Sequence, residues 1–180
     1  ESSREEIQRF LFWTAMLSGA MGHTYGANGI WQVNGREKPY GLSPHGSSWG
    51  NRPWDEAAAL PGSGQLGLAK RFLERFPWAQ FETHPEWIEP HQEKDKRMLP
   101  YAAGVPGQVR MIYIPAEASW IAWRGAMRVK GLEPGVAYRA AYFDPTDGAT
   151  HDLGTAVGGS DYVVPKPPVF QDWVLVLEKP

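Results

Sequence analysis

Hydrophobic and polar residues at the start of the chain alternate with the period of a helix. Ser3 and Glu6 form a capping-box pattern, and the helix that they open is predicted to run to about Leu17. Apolar residues follow the i, i+3, i+4 spacing of one helix face, and further ones widen the stripe. The face comprises Ile7, Phe10, Leu11, Thr14 and Leu17, widened by Phe12, Trp13 and Met16. Such a broad apolar surface needs a large partner to cover it.

The next elements complete one unit of an α/β fold. Small residues at positions 20–25 predict a short strand that is buried on both sides, and residues 27–53 form a long loop rich in Gly and Pro. A short helix is predicted from Pro53, broken by Pro61 and Gly62, and a second one over about residues 65–76. The order helix, buried strand, long loop, helix is that of one unit of a (β/α) barrel, in which chemistry sits at the carboxyl ends of the strands.

The pattern changes to a period of two in the second half. Residues 79–97 resemble a linker, and strands are predicted over residues 99–103, 109–114, 120–129, 137–143 and 173–177, with a turn at 144–148. About six to eight short strands without intervening helices predict a small antiparallel β-sandwich. The predicted fold class is therefore α/β plus all-β: the last helix–strand–helix unit of a TIM barrel (1–78), a linker (79–97) and a β-sandwich (98–180).

Composition narrows the function mainly by exclusion. The 180 residues contain no cysteine, which excludes disulfides and thiolate nucleophiles. The formal net charge is −2, and the sequence has no basic patch of the kind that binds nucleic acid. No apolar run approaches the roughly 18 residues of a membrane span. The five histidines lack metal-ligand spacing. We therefore expect no metal, no cofactor, no nucleic acid and no membrane partner.

Several motifs resemble those of the apiosidase-like glycoside hydrolases. The resemblance covers residues 8–32, with GHTYGANGIW at 22–31 as its most specific part, and continues in WDEA at 54–57, LPG at 60–62 and QLG at 65–67. The tail, with YFDP at 142–145 and FQDWVLVL at 170–177, resembles the β-sandwich that follows the catalytic barrel in this family and is often labelled collagen-binding. The match extends over nearly the whole chain.

The resemblance implies hydrolysis of a glycosidic bond by two carboxylates. In the family both are expected on strands upstream of the first helix of this chain, so no catalytic residue is assigned here. Apiose in pectic side chains is the family's best-known target. The chain is predicted to be the C-terminal portion of such an enzyme, with two partners: a carbohydrate substrate, and the upstream barrel segment in the same protein or a companion chain. We expect residues 1–78 to be stable only against that barrel.

The segment that ends the predicted strand supplies most candidate substrate-binding residues. His23 and Asn28 can hydrogen-bond sugar hydroxyls, and Tyr25 and Trp31 can stack on a ring or donate to it. Arg36 and Trp49, with Tyr40, His45 and Arg52, belong to the long loop, where an arginine fork would match the carboxylate of a uronic acid. His23 and Trp31 each have a structural alternative to sugar binding. His23 can be a histidine of the barrel interior, and Trp31 can anchor the loop.

Another class of function is a carbohydrate- or matrix-binding module, in which the sandwich binds the ligand. That hypothesis predicts a row of exposed aromatic residues on one sheet face. Trp120 and Trp123 are three positions apart, so as strand residues they would point to opposite faces, which argues against such a platform. A third possibility is a fragment without independent activity, which is compatible with the first.

Overall fold

The structure is a computed structural model that describes residues 4–37 and 52–180. Four α-helices occur in these ranges: α1 (Glu5–Leu17), α2 (Trp54–Ala58), α3 (Pro61–Leu73) and α4 (Ala116–Trp123). Single 3₁₀ turns cover Trp78–Gln80 and Pro85–Trp87. The strands are β1 (Glu82–Thr83), β2 (Ile88–Glu89), β3 (Tyr101–Val105), β4 (Val109–Ile114), β5 (Arg128–Val129), β6 (Ala137–Phe143), β7 (Thr150–Val157), β8 (Tyr162–Val163) and β9 (Trp173–Glu178). None of these helices has the length and apolar character to cross a bilayer.

Helix α1 buries a different side from the one expected. Its buried residues are Gln8, Arg9, Phe12, Trp13, Met16 and Leu17. Ile7 and Leu11, on the opposite side, stay 44% and 48% exposed. The aromatic pair that was predicted only to widen the stripe therefore directs the helix, because it removes the larger apolar area from water. The helix begins after Arg4 without a side-chain cap, and Ser3 of the predicted capping box lies outside the described residues.

The strand predicted over residues 20–25 is not formed. These residues are irregular, and no strand of the described chain pairs with them. A strand needs neighbours for its backbone N–H and C=O groups, so the apolar pattern alone does not produce one. The break predicted at Pro61 also differs: Pro61 begins α3 as its first residue, where a missing N–H costs nothing.

Strands from the second half form two antiparallel sheets. The larger has the order β1-β3-β4-β9-β6-β7, and the smaller has the order β2-β5-β8. The segment predicted as a linker contributes β1 and β2, which pair with β3 and β5. The predicted strand over 120–129 is wrong: its first part belongs to α4 and only Arg128–Val129 is extended. Pro115 before Ala116 and Glu117 in the first turn are helix-start signals that favour α4 over a strand.

Each face of the larger sheet covers a separate apolar core. Met111 and Tyr113 of β4 pack against α1 and α3, whereas Ile112 and Ile114 face α4 and the smaller sheet. The larger apolar sides of α1 and α3 are therefore covered by the sheet, whereas Ile7 and Leu11 of α1 stay outside it. The molecule is a mixed α/β structure built on a mostly antiparallel sheet, with residues 4–17 and 61–76 docked directly on it.

Candidate functional site

The predicted sugar-binding segment lines a cavity between α1 and α3. The cavity has a volume of about 330 Å³. Its wall is largely apolar, with a few polar groups among the aromatic and aliphatic ones, as is common for small-molecule sites. It is lined by Phe12, Met16, Gly22, His23, Tyr25, Ser63, Leu66, Gly67, Lys70, Leu73, Glu74 and Trp78. The structure therefore brings two of the predicted residues, His23 and Tyr25, into one pocket.

His23 is half-buried against the first helix. Its ring meets the edge of Phe12 with centroids 5.5 Å apart at an interplanar angle of 76°. Burial lowers the pKa of His23 below its ordinary value of 6.5, because the cavity wall disfavours the charged imidazolium. A neutral imidazole carries one donor and one acceptor nitrogen, which suits it to hydrogen-bond a hydroxyl group.

Tyr25 connects the same segment to α2. Its hydroxyl donates to the backbone oxygen of Ala57 at 3.2 Å. Burial raises the pKa of Tyr25, with Arg52 acting in the opposite direction. One residue further, the backbone oxygen of Gly26 accepts a hydrogen bond from Gln8 Nε2 at 3.1 Å. Residues 25 and 26 of the segment are thereby attached to both flanking helices, α2 and α1.

Residues 27–34 form a tight loop directly after that segment. Gly29 N donates to Gln32 Oε1 at 2.8 Å, and Asn34 N donates to Gly29 O at 2.9 Å. Gly29 has a φ of +101°, and a Cβ there would lie 2.3 Å from the backbone oxygen of Arg52. Only glycine fits this position, so the loop and residue 52 are locked together by close backbone approach.

The loop presents Trp31 to solvent. Trp31 is 54% exposed, and Val33, two residues later, is 71% exposed with a φ of +52°. A β-branched residue with a backbone in the left-handed region is strained. Asn28, in the same loop, is half-buried and is engaged in contacts of its own. The exposed indole is therefore fixed on an ordered loop and does not serve as a buried anchor.

Arg36 lies in a separate open cleft beside α2. Its guanidinium binds Asp55 with a shortest Nη2–Oδ2 distance of 2.7 Å and Glu56 at 3.2 Å. The hydrogen bond from Arg36 lowers the pKa of Asp55. The cleft is lined by Asn34, Gly35, Arg36, Glu37, Trp54 and Asp55. Arg36 thus stabilises two carboxylates of its own chain, and the structure does not bring it into the cavity of His23.

Some predicted residues cannot be placed in this geometry, and others were missed. Trp49, with Tyr40 and His45, lies outside the described residues. The sequence did not identify Lys70, Glu74 and Trp78, which line the cavity from α3 and the turn after it. Lys70 and Glu74 form an i,i+4 ion pair of 2.5 Å at the rim. The four-residue spacing of Lys70 and Glu74 was the sequence signal that could have predicted this pair.

Within residues 4–37 and 52–180, no group of three or more His, Cys, Asp or Glu residues is arranged to hold a metal ion. The polar groups of the cavity are an imidazole, hydroxyls, an ammonium and a carboxylate. Such a set hydrogen-bonds hydroxyl-rich ligands.

Comparisons with known proteins give a family-model match to the first part of the chain and similar solved structures over nearly all of it. Residues 1–80 match the family model described as "Apiosidase-like, catalytic domain". A solved structure named "Glycoside hydrolase" superposes with a TM-score of 0.76 at 20% identity, covering 98% of this chain and 37% of that one. A glycoside hydrolase family 5 protein from Bacteroides vulgatus ATCC 8482 gives 0.74 at 18% identity, covering 98% and 36%. No curated protein matches the chain.

These comparisons define what the chain shares with its relatives. At such low identities the solved structures show a shared fold, and the chain spans little more than a third of their length. The family match covers the helix α1, the GHTYGANGIW motif and α3, which are the parts that line the cavity. The resemblance predicted from the motifs is therefore confirmed over residues 1–80, which match the apiosidase-like catalytic-domain model.

Proposed function

We propose that this chain is the C-terminal portion of a glycoside hydrolase that acts on a plant-type polysaccharide or glycoside. Residues 1–78 complete the sugar-binding rim at the end of a (β/α)₈ barrel, and residues 98–180 are a β-sandwich accessory domain. Residues 79–97 connect the two and add β1 and β2 to the sheets. The rim residues are His23, Tyr25, Asn28, Trp31, Arg36 and Trp49. The observation that carries the proposal is the apiosidase-like match over the segment whose side chains line the cavity.

The carboxylates of the described chain support a catalytic pair that lies elsewhere. A glycosidase needs one protonated carboxyl as general acid and a second carboxylate as nucleophile or base. Asp55 is held ionised by Arg36, which makes it a poor proton donor. Glu74, the acidic residue of the cavity, is engaged by Lys70. The proposal therefore assigns both catalytic groups to the upstream part of the barrel.

Exposed apolar residues support a docking surface for that upstream part. Ile7 and Leu11 form an outward strip on α1, and Met21, after the helix, is 93% exposed. The segment at residues 20–26 has no partner strand in the described chain, although its composition fits a barrel interior. Neighbouring barrel strands would pair with its backbone and cover these side chains. The β-rich module then acts as a buttress on the opposite side of α1 and α3.

A reducing-sugar assay on pectic and apiose-bearing substrates tests the proposal. It is run with this chain alone and with the upstream segment of its parent protein restored. The proposal predicts release of reducing sugar only by the restored protein. Activity of the chain alone would overturn the assignment of the carboxylates and make Glu37, Asp55 and Glu56 the first residues to substitute. A restored protein that folds and cleaves no glycoside would contradict the proposed activity itself.

The structure removes one argument against the alternative function, a carbohydrate- or matrix-binding module. The case against an aromatic platform assumed that Trp120 and Trp123 lie on a strand. They lie in α4 or at its end, where a spacing of three places both on one side.

A further inference from the structure

The outward side of α4 and the loop after β8 form one aromatic and cationic surface. Trp120 is 47% exposed, and Trp123 lies one turn further on the same side. Phe170 stacks on Trp123 with ring centroids 4.4 Å apart at 18°, and its own outer face is open, since Phe170 is 62% exposed. The aromatic surface consists of Trp120, Trp123, Arg124, Lys166 and Phe170.

Two cations on this surface have aromatic rings, not carboxylates, as their neighbours. Lys166 Nζ lies 3.4 Å from the ring centre of Trp123, and Arg124 Cζ lies 4.9 Å from that of Trp120. Neither cation has an ion-pair partner among the described residues. Each charged group lies over an aromatic ring and remains available to an anion from its other side.

The loop that carries Lys166 and Phe170 is fixed at both ends. Tyr142 Oη donates to the backbone oxygen of Pro165 at 2.7 Å, and Trp173 Nε1 donates to that of Val169 at 3.0 Å. Tyr142 and Trp173 are themselves almost fully buried. The surface is therefore preorganised by the core of the module, which reduces the entropy lost when a ligand binds.

We propose that this surface binds an acidic polysaccharide, a polymer of uronic acids. Aromatic faces pack on the C–H side of sugar rings, and the two cations pair with the carboxylates of neighbouring residues along the polymer. The choice of a glycan rests on the proposed function, whereas the choice of an acidic one rests on the two cations. An anionic bilayer is the weaker candidate, because Trp123 is covered by Phe170 and Lys166 and does not project as a membrane anchor does.

Affinity electrophoresis of the whole chain in polygalacturonate gels tests the proposal. The matched comparison is the same polymer after its carboxyl groups have been reduced to alcohols. We expect retardation in the acidic polymer, little in the reduced one, and loss of retardation at high salt. Phe170→Ala and Lys166→Gln should each weaken binding about tenfold, the usual effect of losing one charged or stacking contact.

Matched variants separate this surface from general charge effects. Lys94→Gln removes one exposed lysine charge in the linker, and Val157→Ala trims an exposed apolar residue elsewhere, so both should bind as the unchanged chain does. Glu117 lies at the far end of the same side of α4. Glu117→Gln should bind the polymer equally or more tightly, because it removes a negative charge that repels the polymer's carboxylates. Thermal melts confirm that every variant is folded.

Three outcomes would overturn the proposal: equal retardation in both polymers, retardation that Lys166→Gln and Phe170→Ala leave unchanged, or binding to phosphatidylserine vesicles without binding to polygalacturonate. The assay measures binding without hydrolysis. A negative binding result therefore does not contradict the proposed glycosidase activity. A negative reducing-sugar assay likewise does not contradict binding of the acidic polymer.

Discussion

Arg9 and Asp172 form a buried two-point ion pair that joins residues 163 positions apart. Arg9 Nη2 lies 2.6 Å from Asp172 Oδ1, and Arg9 Nε lies 2.9 Å from Oδ2. Tyr113 Oη donates to the same carboxylate at 3.2 Å, and Arg9 Nη1 donates to Gln65 at 2.7 Å. The Arg9 guanidinium and this carboxylate together fasten α1, α3 and the larger sheet, which links the apiosidase-like segment to the β-rich module.

Removal of one partner should strongly destabilise the chain. Asp172→Asn keeps the size of the side chain but leaves the Arg9 guanidinium buried without a counter-charge, which costs about 3–5 kcal/mol of unfolding free energy. Urea unfolding followed by circular dichroism measures the change. Arg139→Gln, which breaks an exposed cross-strand pair with Asp152 at 3.8 Å, is the control and should leave stability unchanged. Equal effects of the two variants would refute a structural role for the buried pair.

The loop that presents Trp31 should depend on a glycine. Gly29→Ala places a Cβ against the backbone oxygen of Arg52 and requires a positive φ, so we expect a loss of more than about 1 kcal/mol of stability. Gly26→Ala is the matched control, because nothing lies within 4 Å of a Cβ there. If both variants melt at the temperature of the unchanged chain, the close approach of residues 29 and 52 does not hold in solution.

His23 should titrate below its ordinary pKa of 6.5. Burial disfavours its charged form, so the unfolded chain takes up this proton first as the pH falls below 6.5. Its contribution to folding stability is therefore present above that pH and decreases as the pH falls toward the folded-state pKa. NMR titration of the imidazole protons gives the midpoint, and His23→Gln identifies the resonance. A midpoint at or above 6.5 would mean that the ring is not buried against Phe12.

Tyr138 should make the stability of the chain sensitive to alkali. Burial, together with its hydrogen bond to Glu133, raises the pKa of Tyr138 from 10.0 to about 12. Between these values the unfolded chain loses the proton and the folded chain keeps it, so stability falls as the pH rises from 10 to 12. Tyr138→Phe should flatten that part of the pH profile, measured by urea midpoints. An unchanged slope would show that other groups control the alkaline transition.

Local periodicity predicted β3, β4, β6 and β9, the four inner strands of the larger sheet. Residues 109–114 and 137–143 are strands with the predicted bounds, since their apolar residues face two cores at once. The helix at 116–123 was missed because Trp and Ile residues mimic a strand pattern, although Pro115 and Glu117 signal a helix start.

Contacts between distant parts of the chain were beyond the sequence patterns. Nothing local pairs Arg9 with Asp172, and nothing local determines that the sheet covers Phe12 and Trp13 while Ile7 stays outside. For the candidate site, the motif at 22–31 identified His23 and Tyr25, but the cavity also needs α3, which only the fold brings near. Tertiary packing therefore overrode the apolar face of α1 that the local pattern predicted.

The most direct test of the account is the catalytic efficiency of the restored protein after Trp31→Ala. The account places Trp31 on the sugar-binding rim, so kcat/KM on the best glycoside substrate should fall about tenfold or more. Val33→Ala, in the same exposed loop, is the control and should retain full efficiency. Equal efficiencies of the two variants and the unchanged protein would contradict the claim that this loop contacts the sugar.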